Sequence, residues 1–236
     1  MQETANKLIH IGKPIQMDEE KFLKQLNISV TAYAKSIGPV EVSPERMDLS
    51  EIQNNRFCFP DAEAAKEAES YLDQKIAECD SVGGVVECVI SGLPVGLGEP
   101  VFEKLDANLA KAILSIGAVK GFEIGDGFEV VGSRGSLNAD RMGTQYENGF
   151  ASNHAGGILG GISTGAPITA RVAIKPTPSI RQEMPTLTVD GKDTIVSTKG
   201  RHDPCVGIRA TPILEALTAL VLIDQVMAQR AQCGSI

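Results

Sequence analysis

Tryptophan is absent from this 236-residue chain, and aromatic residues make up only 4% of it. Proteins that read single strands or RNA stack bases on aromatic side chains, so no platform of that kind is expected. Positive charge is also short. The 22 Lys and Arg residues face 30 Asp and Glu, a formal charge of −8, which repels a polyanion such as DNA overall. A small anionic ligand stays open, because local Arg and Lys clusters outweigh the global sign. The five cysteines, Cys58, Cys79, Cys88, Cys205 and Cys233, form no C-x-x-C pair. Their odd number and irregular gaps exclude a disulfide framework and fit reduced thiols in the cytosol. The N-terminus lacks the apolar core of a signal peptide. The most apolar run, residues 216–223, falls short of the ~20 residues a membrane span needs. A soluble cytoplasmic protein is expected.

Motifs for common nucleotide folds are missing as well. The GLGEPV and GDGFEV segments lack the third glycine of a dinucleotide fingerprint, and neither a G-x-x-x-x-G-K-[ST] loop nor a G-x-S-x-G elbow occurs. What is present is ordinary globular material: 42% hydrophobic and 22% charged residues, enough for a real core and for one or two domains at ~150 residues each.

The pattern along the chain is α+β, without a regular βαβ period. Apolar residues Ala5, Leu8 and Ile9 have helical spacing with no N-cap before them, as if the chain begins inside a helix. A short helix is expected near residues 18–25. A strand follows in which Ile28, Val30, Ala32 and Ala34 alternate with Ser29, Thr31, Tyr33 and Lys35. Residues 44–55 read as loop. Pro60 and Asp61 open a helix with the apolar stripe Ala65, Ala68, Leu72, Ile76 and Cys79. A Val-rich strand covers residues 84–90. Phe102, Leu105, Leu109 and Ile113 mark another helix, stopped by Gly117 in the C-cap role. Ile168, Ala170, Val172 and Ile174 alternate in a strand ending at Lys175. VDGKD reads as a hairpin turn. The last helix is expected to start at Thr211 and Pro212 and, being apolar nearly all round, to be buried.

More than half of the 24 glycines fall between residues 117 and 165. Backbone that approaches a ligand closely is one use of such glycine and a linker is another. The interspersed Arg134, Asn138, Asp140, Arg141, Asn148, Asn153 and His154 favour the ligand. KPTPSIR, residues 175–181, offers a phosphate the charge of Lys175, the hydroxyls of Thr177 and Ser179 and a turn held by proline; a plain surface turn is the competing reading. GRHDPCVGIR, residues 200–209, gathers Arg201, His202, Asp203 and Arg209, and Arg suits carboxylate or phosphate. A metal held by His202, Asp203 and Cys205 with His154 is disfavoured by the cationic surroundings. Asp224 is a lone carboxylate on an apolar helix. Buried, it is a candidate proton-handling group; on a solvated stripe beside Gln225 it is ordinary. Periodicity leaves both open.

SIGAVKGFEIGDGF, RGS, SNHAGGILGGISTG, KPTPSI and GRHDPCVGIRATPILEAL, in that order and spacing, closely resemble the chorismate synthase family over essentially the whole chain. The resemblance implies one domain spanning residues 1–236, with helices sandwiched between antiparallel sheets, assembled as a homotetramer. It implies a lyase that eliminates phosphate from 5-enolpyruvylshikimate 3-phosphate to give chorismate, the last step of the shikimate pathway toward aromatic amino acids. Reduced FMN is the implied cofactor, and some members reduce it with NADPH. No nucleic acid, membrane or metal partner is implied.

Matched motif by motif, the implied FMN contacts fall on Gly117, Ala118, Gly160, Lys175, Pro176, Thr177, Pro178, Ser179 and Arg201. Asp224 matches the helix aspartate held to manage the proton on flavin N5. Arg134 and Arg209 suit the substrate's phosphate or carboxylates. At Gly117 many relatives carry Asn, a change that a backbone contact survives. The resemblance also implies that the family's N-terminal third is absent here, with its Gly-Glu-Ser-His-Gly and Pro-Gly-His motifs, its substrate-gripping arginines and its Arg-Ser-Ser flavin contact. Gln2 stands where relatives have the Arg of that last motif. An impaired enzyme is therefore expected, with a non-catalytic flavin-binding or oligomerisation remnant as the alternative.

Overall fold

The computed structural model describes residues 21–146, 149–200 and 202–234. Residues 21–25 are helical, as expected for the end of the segment near residues 18–25. The helix expected around residues 5–9 lies outside the described residues, as does Arg201. The described residues form two compact units, one from residues 21–32, 87–172 and 211–234, the other from residues 33–86 and 173–210.

Nine strands are seen among the described residues: β1 (Ser29–Ile37), β2 (Val40–Glu41), β3 (Gly84–Ser91), β4 (Val119–Ile124), β5 (Ile158–Leu159), β6 (Ile162–Ser163), β7 (Ile168–Ile174), β8 (Met184–Leu187) and β9 (Asp193–Val196). The helices are α1 (Ala62–Ala77), α2 (Leu105–Leu114), α3 (Gly135–Asn138) and α4 (Gly207–Cys233). One sheet has the strand order β2-β1-β3-β7-β4, while β5-β6 and β8-β9 form separate pairs. The pairs β1–β2, β5–β6 and β8–β9 are antiparallel. The architecture is α+β.

In the second unit, Asp61 explains where α1 begins. Its backbone is extended and its carboxylate accepts from the N–H groups of Glu63 and Ala64, the first free donors of the helix. It also accepts from Ser43 N–H and from the Arg46 guanidinium, which joins the 3-10 turns at Pro44–Arg46 and Leu49–Gln53 to the helix start. Ala64, Ala65, Ala68 and Leu72 bury the helix against Ile37, Val42, Phe57 and Phe59. The predicted stripe ends at Leu72. Ile76 is 55% exposed, and Cys79, just past the helix end with a φ of +57°, is exposed. Tyr33, placed by alternation among the polar positions of β1, is fully buried, so this strand is covered on both faces at its middle. The VDGKD turn does close a hairpin, β8–β9, with Gly191 at φ +74°.

In the first unit, β7 alternates as expected, with Ile168, Ala170 and Val172 buried. It ends at Ile174 rather than Lys175. Leu105, Leu109 and Ile113 form the buried face of α2, whereas Phe102 lies before the helix and is largely exposed. The helix is capped at Ser115. The left-handed position that was expected at Gly117 falls one residue later, on Ala118 with φ +74°.

α4 starts at Gly207, before Thr211 and Pro212. The Val206 carbonyl already accepts from the N–H groups of Arg209 and Ala210. Pro212 therefore sits inside the helix, where its missing N–H removes the usual donor to the Ile208 carbonyl. Unbroken over 27 residues, this helix is long and apolar enough to cross a membrane by length and composition, more than the run at residues 216–223 indicates. Leu214, Ala219, Leu222 and Val226 are buried inside the fold. The helix is not buried all round, since Leu220 and Met227 are about half exposed.

Candidate functional site

The second unit brings two distant motifs side by side. Lys175, Pro176, Thr177, Pro178 and Ser179 follow β7, and His202, Asp203 and Pro204 precede α4. The Thr177 hydroxyl donates to the Asp203 carbonyl at 3.4 Å, while the Thr177 carbonyl accepts from Ser81 Oγ at 2.7 Å. Val82 N–H donates to the Pro204 carbonyl at 2.8 Å. These bonds lace both motifs to the strand-entry segment before β3. The Thr177 hydroxyl, expected to offer a hydrogen bond to a phosphate, thus already has a partner within the protein. Lys175 and Ser179 are exposed, and neither side chain has a partner among the described residues.

Beside them, Cys79, Ser81, Ile180, Arg181, His202 and Asp203 line part of a cavity of about 130 Å³. His202 Nε2 is buried with no hydrogen-bond partner among the described residues. Arg181 Nη2 donates to the Gly200 carbonyl at 3.1 Å. Arg209 pairs with Asp203 at 3.0 Å, so part of its charge is already committed. The metal reading does not assemble. Asp203 is held by Arg209, Cys205 Sγ is buried 3.8 Å from the Gly83 carbonyl, and burial pushes that thiol up. No group of three metal-ligating side chains forms among the described residues.

The first unit holds the remaining candidates. Gly117 and Ala118 lead from α2 into β4. Ala118 is a non-glycine residue in the left-handed region, a conformation that costs of order 1 kcal/mol and clusters at functional sites. Ala118→Gly is expected to stabilise the chain by roughly 0.5–1 kcal/mol, read as an upward shift of the denaturation midpoint. Gly160 and Gly161 form the two-residue turn of the β5–β6 hairpin, with φ of +62° and +88°, the positive values such turns demand. A Cβ on Gly161 would meet the Lys104 side chain at 2.4 Å, whereas a Cβ on Gly160 would meet nothing within 4 Å. Gly160 thus presents bare, open backbone. Arg134 is exposed and makes no side-chain bond to α3, whose N-cap position it occupies.

Asp224 is exposed on α4, between Leu220 and Met227 on the same face. Its neighbour Gln225 is buried instead, 5% exposed, with Oε1 unpartnered among the described residues. Asp224 is therefore not the buried carboxylate that one reading of the helix allowed; it lies on the solvated stripe. Sequence reasoning also missed the polar group formed by Asp126, Asp140 and His154. His154 Nδ1 lies 2.7 Å from Asp126 Oδ2, and no local spacing signals a pair 28 positions apart.

The loop after β7 thus presents an ammonium and a hydroxyl that have no side-chain partners among the described residues, braced from behind by the bonds to Ser81 and Asp203, a donor pair of the kind that binds small anions. The chorismate synthase family model matches residues 19–227, which include every candidate named above. The chain belongs to the chorismate synthase family. It is 51% identical over 205 residues to the chorismate synthase of Lachnospira eligens, covering 86% of this chain and 56% of that protein. It is 49% identical over 218 residues to that of Burkholderia multivorans, covering 92% and 58%. A solved chorismate synthase structure matches with a TM-score of 0.74 and 29% identity, over 94% of this chain and 62% of the other. The chain spans a little over half the length of the curated chorismate synthases it matches.

Proposed function

We propose that this chain acts as a cytoplasmic chorismate synthase, a lyase that uses reduced FMN. The reaction is the anti-1,4-elimination of phosphate from 5-enolpyruvylshikimate 3-phosphate, in which the C3–O bond breaks, a C6 hydrogen leaves and chorismate forms. The observation that carries the reading is the laced pair of motifs at Lys175 and Asp203, which leaves a cation and a hydroxyl free beside a braced turn.

In this reading Lys175 and Ser179 bind the anionic end of FMN, while Pro176 and Pro178 fix the turn. Thr177 acts by bracing that turn through its bond to Asp203. Gly117, Ala118 and Gly160 offer backbone N–H groups to the flavin, and Arg201 adds a second cation. Reduced FMN supplies electron density that assists departure of the phosphate, and NADPH is the candidate reductant. Arg134 orients the substrate's anionic groups, as does Arg209 with the capacity its Asp203 pair leaves. Asp224, an exposed carboxylate flanked by apolar side chains, exchanges the proton at flavin N5. The assembled enzyme is a homotetramer.

Phosphate release from the substrate with anaerobically reduced FMN tests the assignment. Turnover that falls about 100-fold in Asp224→Asn, in line with loss of a positioned acid–base group, supports it. Flavin binding without phosphate release supports the remnant reading, in which this chain binds cofactor without catalysing.

A further inference from the structure

In the first unit, three side chains that the proposed site does not use form one polar cluster. Asp140 accepts from the backbone N–H of His154 at 2.8 Å, from that of Ala155 at 2.9 Å and from the Ser152 hydroxyl at 2.7 Å. Burial alone would raise its carboxyl, but these donors hold it below the usual carboxylate range. The His154 ring meets Asp126 Oδ2 through Nδ1 at 2.7 Å, and Asp126 N–H donates to the His154 carbonyl at 2.9 Å. Next to them, Asn153 donates to the Pro167 carbonyl and accepts from Gly157 N–H, both at 2.8 Å.

The segment they hold is costly to order. Gly156, Gly157, Gly160, Gly161 and Gly165 all have φ between +62° and +91°, and glycine loses more backbone freedom on folding than any other residue. Gly125 lies so close that a Cβ there would stand 2.1 Å from the His154 carbonyl oxygen. The segment is therefore pinned to the end of β4 by backbone contact and by the Asp126 carboxylate, and to the stretch after α3 by the carboxylate of Asp140.

We propose that Asp126, His154 and Asp140 are positioning residues that lock the glycine-rich segment and set the Gly160 turn in the geometry that receives the cofactor. The proposal rests on the reading of Gly160 as a flavin contact. The 2.7 Å contact between His154 Nδ1 and Asp126 Oδ2 fixes the ring's orientation. The ring acts as a strut, so a shorter N–H donor at the same position can replace it.

Two measurements on the full chain separate this role from general stability. The first is amide hydrogen exchange across residues 153–165, which needs no flavin; the second is the FMN dissociation constant. His154→Ala and Asp140→Ala are expected to speed exchange in that segment, leave β3 and α2 unchanged, and weaken FMN binding about tenfold, the loss of a hydrogen bond or two. His154→Asn is expected to stay within about twofold of the unaltered chain in both, since its amide restores the donor to Asp126. Unchanged exchange and affinity in both alanine variants overturn the proposal. So does His154→Asn failing as fully as His154→Ala, or exchange that rises throughout the chain. Should the unaltered chain bind no FMN, the flavin reading itself fails, and local exchange in the alanine variants still decides whether the lock exists.

Discussion

Lys175→Ala is expected to weaken FMN binding by roughly tenfold to hundredfold, the range set by losing one charge-assisted hydrogen bond to a phosphate. The size follows from the environment. Lys175 is exposed and has no carboxylate partner among the described residues, so its charge is available, yet water and salt screen it. Lys175→Arg should fall between the two, keeping charge while changing the donor geometry. The same exposure means that folding is barely affected. A flavin titration read by absorbance and fluorescence, alongside a denaturation midpoint for each variant, separates binding from stability. A weakened midpoint with unchanged affinity would contradict the assignment.

Asp61→Ala carries the largest expected loss of stability, about 3 kcal/mol, from removing an N-cap and the partner of an ion pair at a buried carboxylate. Asp61 is 1% exposed and accepts from Arg46 and from the N–H groups of Ser43, Glu63 and Ala64. Burial pulls its pKa upward, but the Arg46 side chain and those backbone donors outweigh burial and hold it below the usual carboxylate value. A depressed folded value means Asp61 stabilises the fold above the unfolded Asp pKa of about 3.9. That stability is lost as pH falls through the folded value. Urea midpoints at neutral pH and on the acid side should show a gap between the unaltered chain and Asp61→Ala that narrows with acid. A gap independent of pH would show that the carboxylate charge plays no part. Asp61→Asn keeps the cap acceptor and should recover part of the loss.

Much of this fold is legible from residue pattern. Alternation places β7 and the second half of β3, because Ile168, Ala170, Val172, Val86, Cys88 and Ile90 face one way with a period of two. Asp61 announces its helix by cap chemistry, and VDGKD its hairpin by turn chemistry. Cys88 behaves as a core residue, its thiol pushed up to about 12 by burial, and all five cysteines are free, as their spacing indicates.

Other features are set by neighbours distant in sequence, and local pattern fails there. Tyr33 looks polar-facing until the opposite face of β1 is covered. Pro212 looks like a helix start until Val206 caps the turn before it. Asp224 cannot be sorted from Gln225 by periodicity on a helix apolar nearly all round; the structure exposes the first and buries the second. The site itself is read through the family motifs more than through chemistry. Lys175 and Ser179 stand out as donors in both, but the bond from Thr177 to Asp203 and the cluster at Asp140 depend on contacts across 26 and 14 positions that no motif spells out.

The most direct test of the account is FMN titration of this chain, unaltered and as Lys175→Ala. The account predicts saturable binding to the unaltered chain, weakened at least tenfold by the substitution. No saturable change in flavin absorbance or fluorescence with the unaltered chain, or equal affinity in the two proteins, would contradict it.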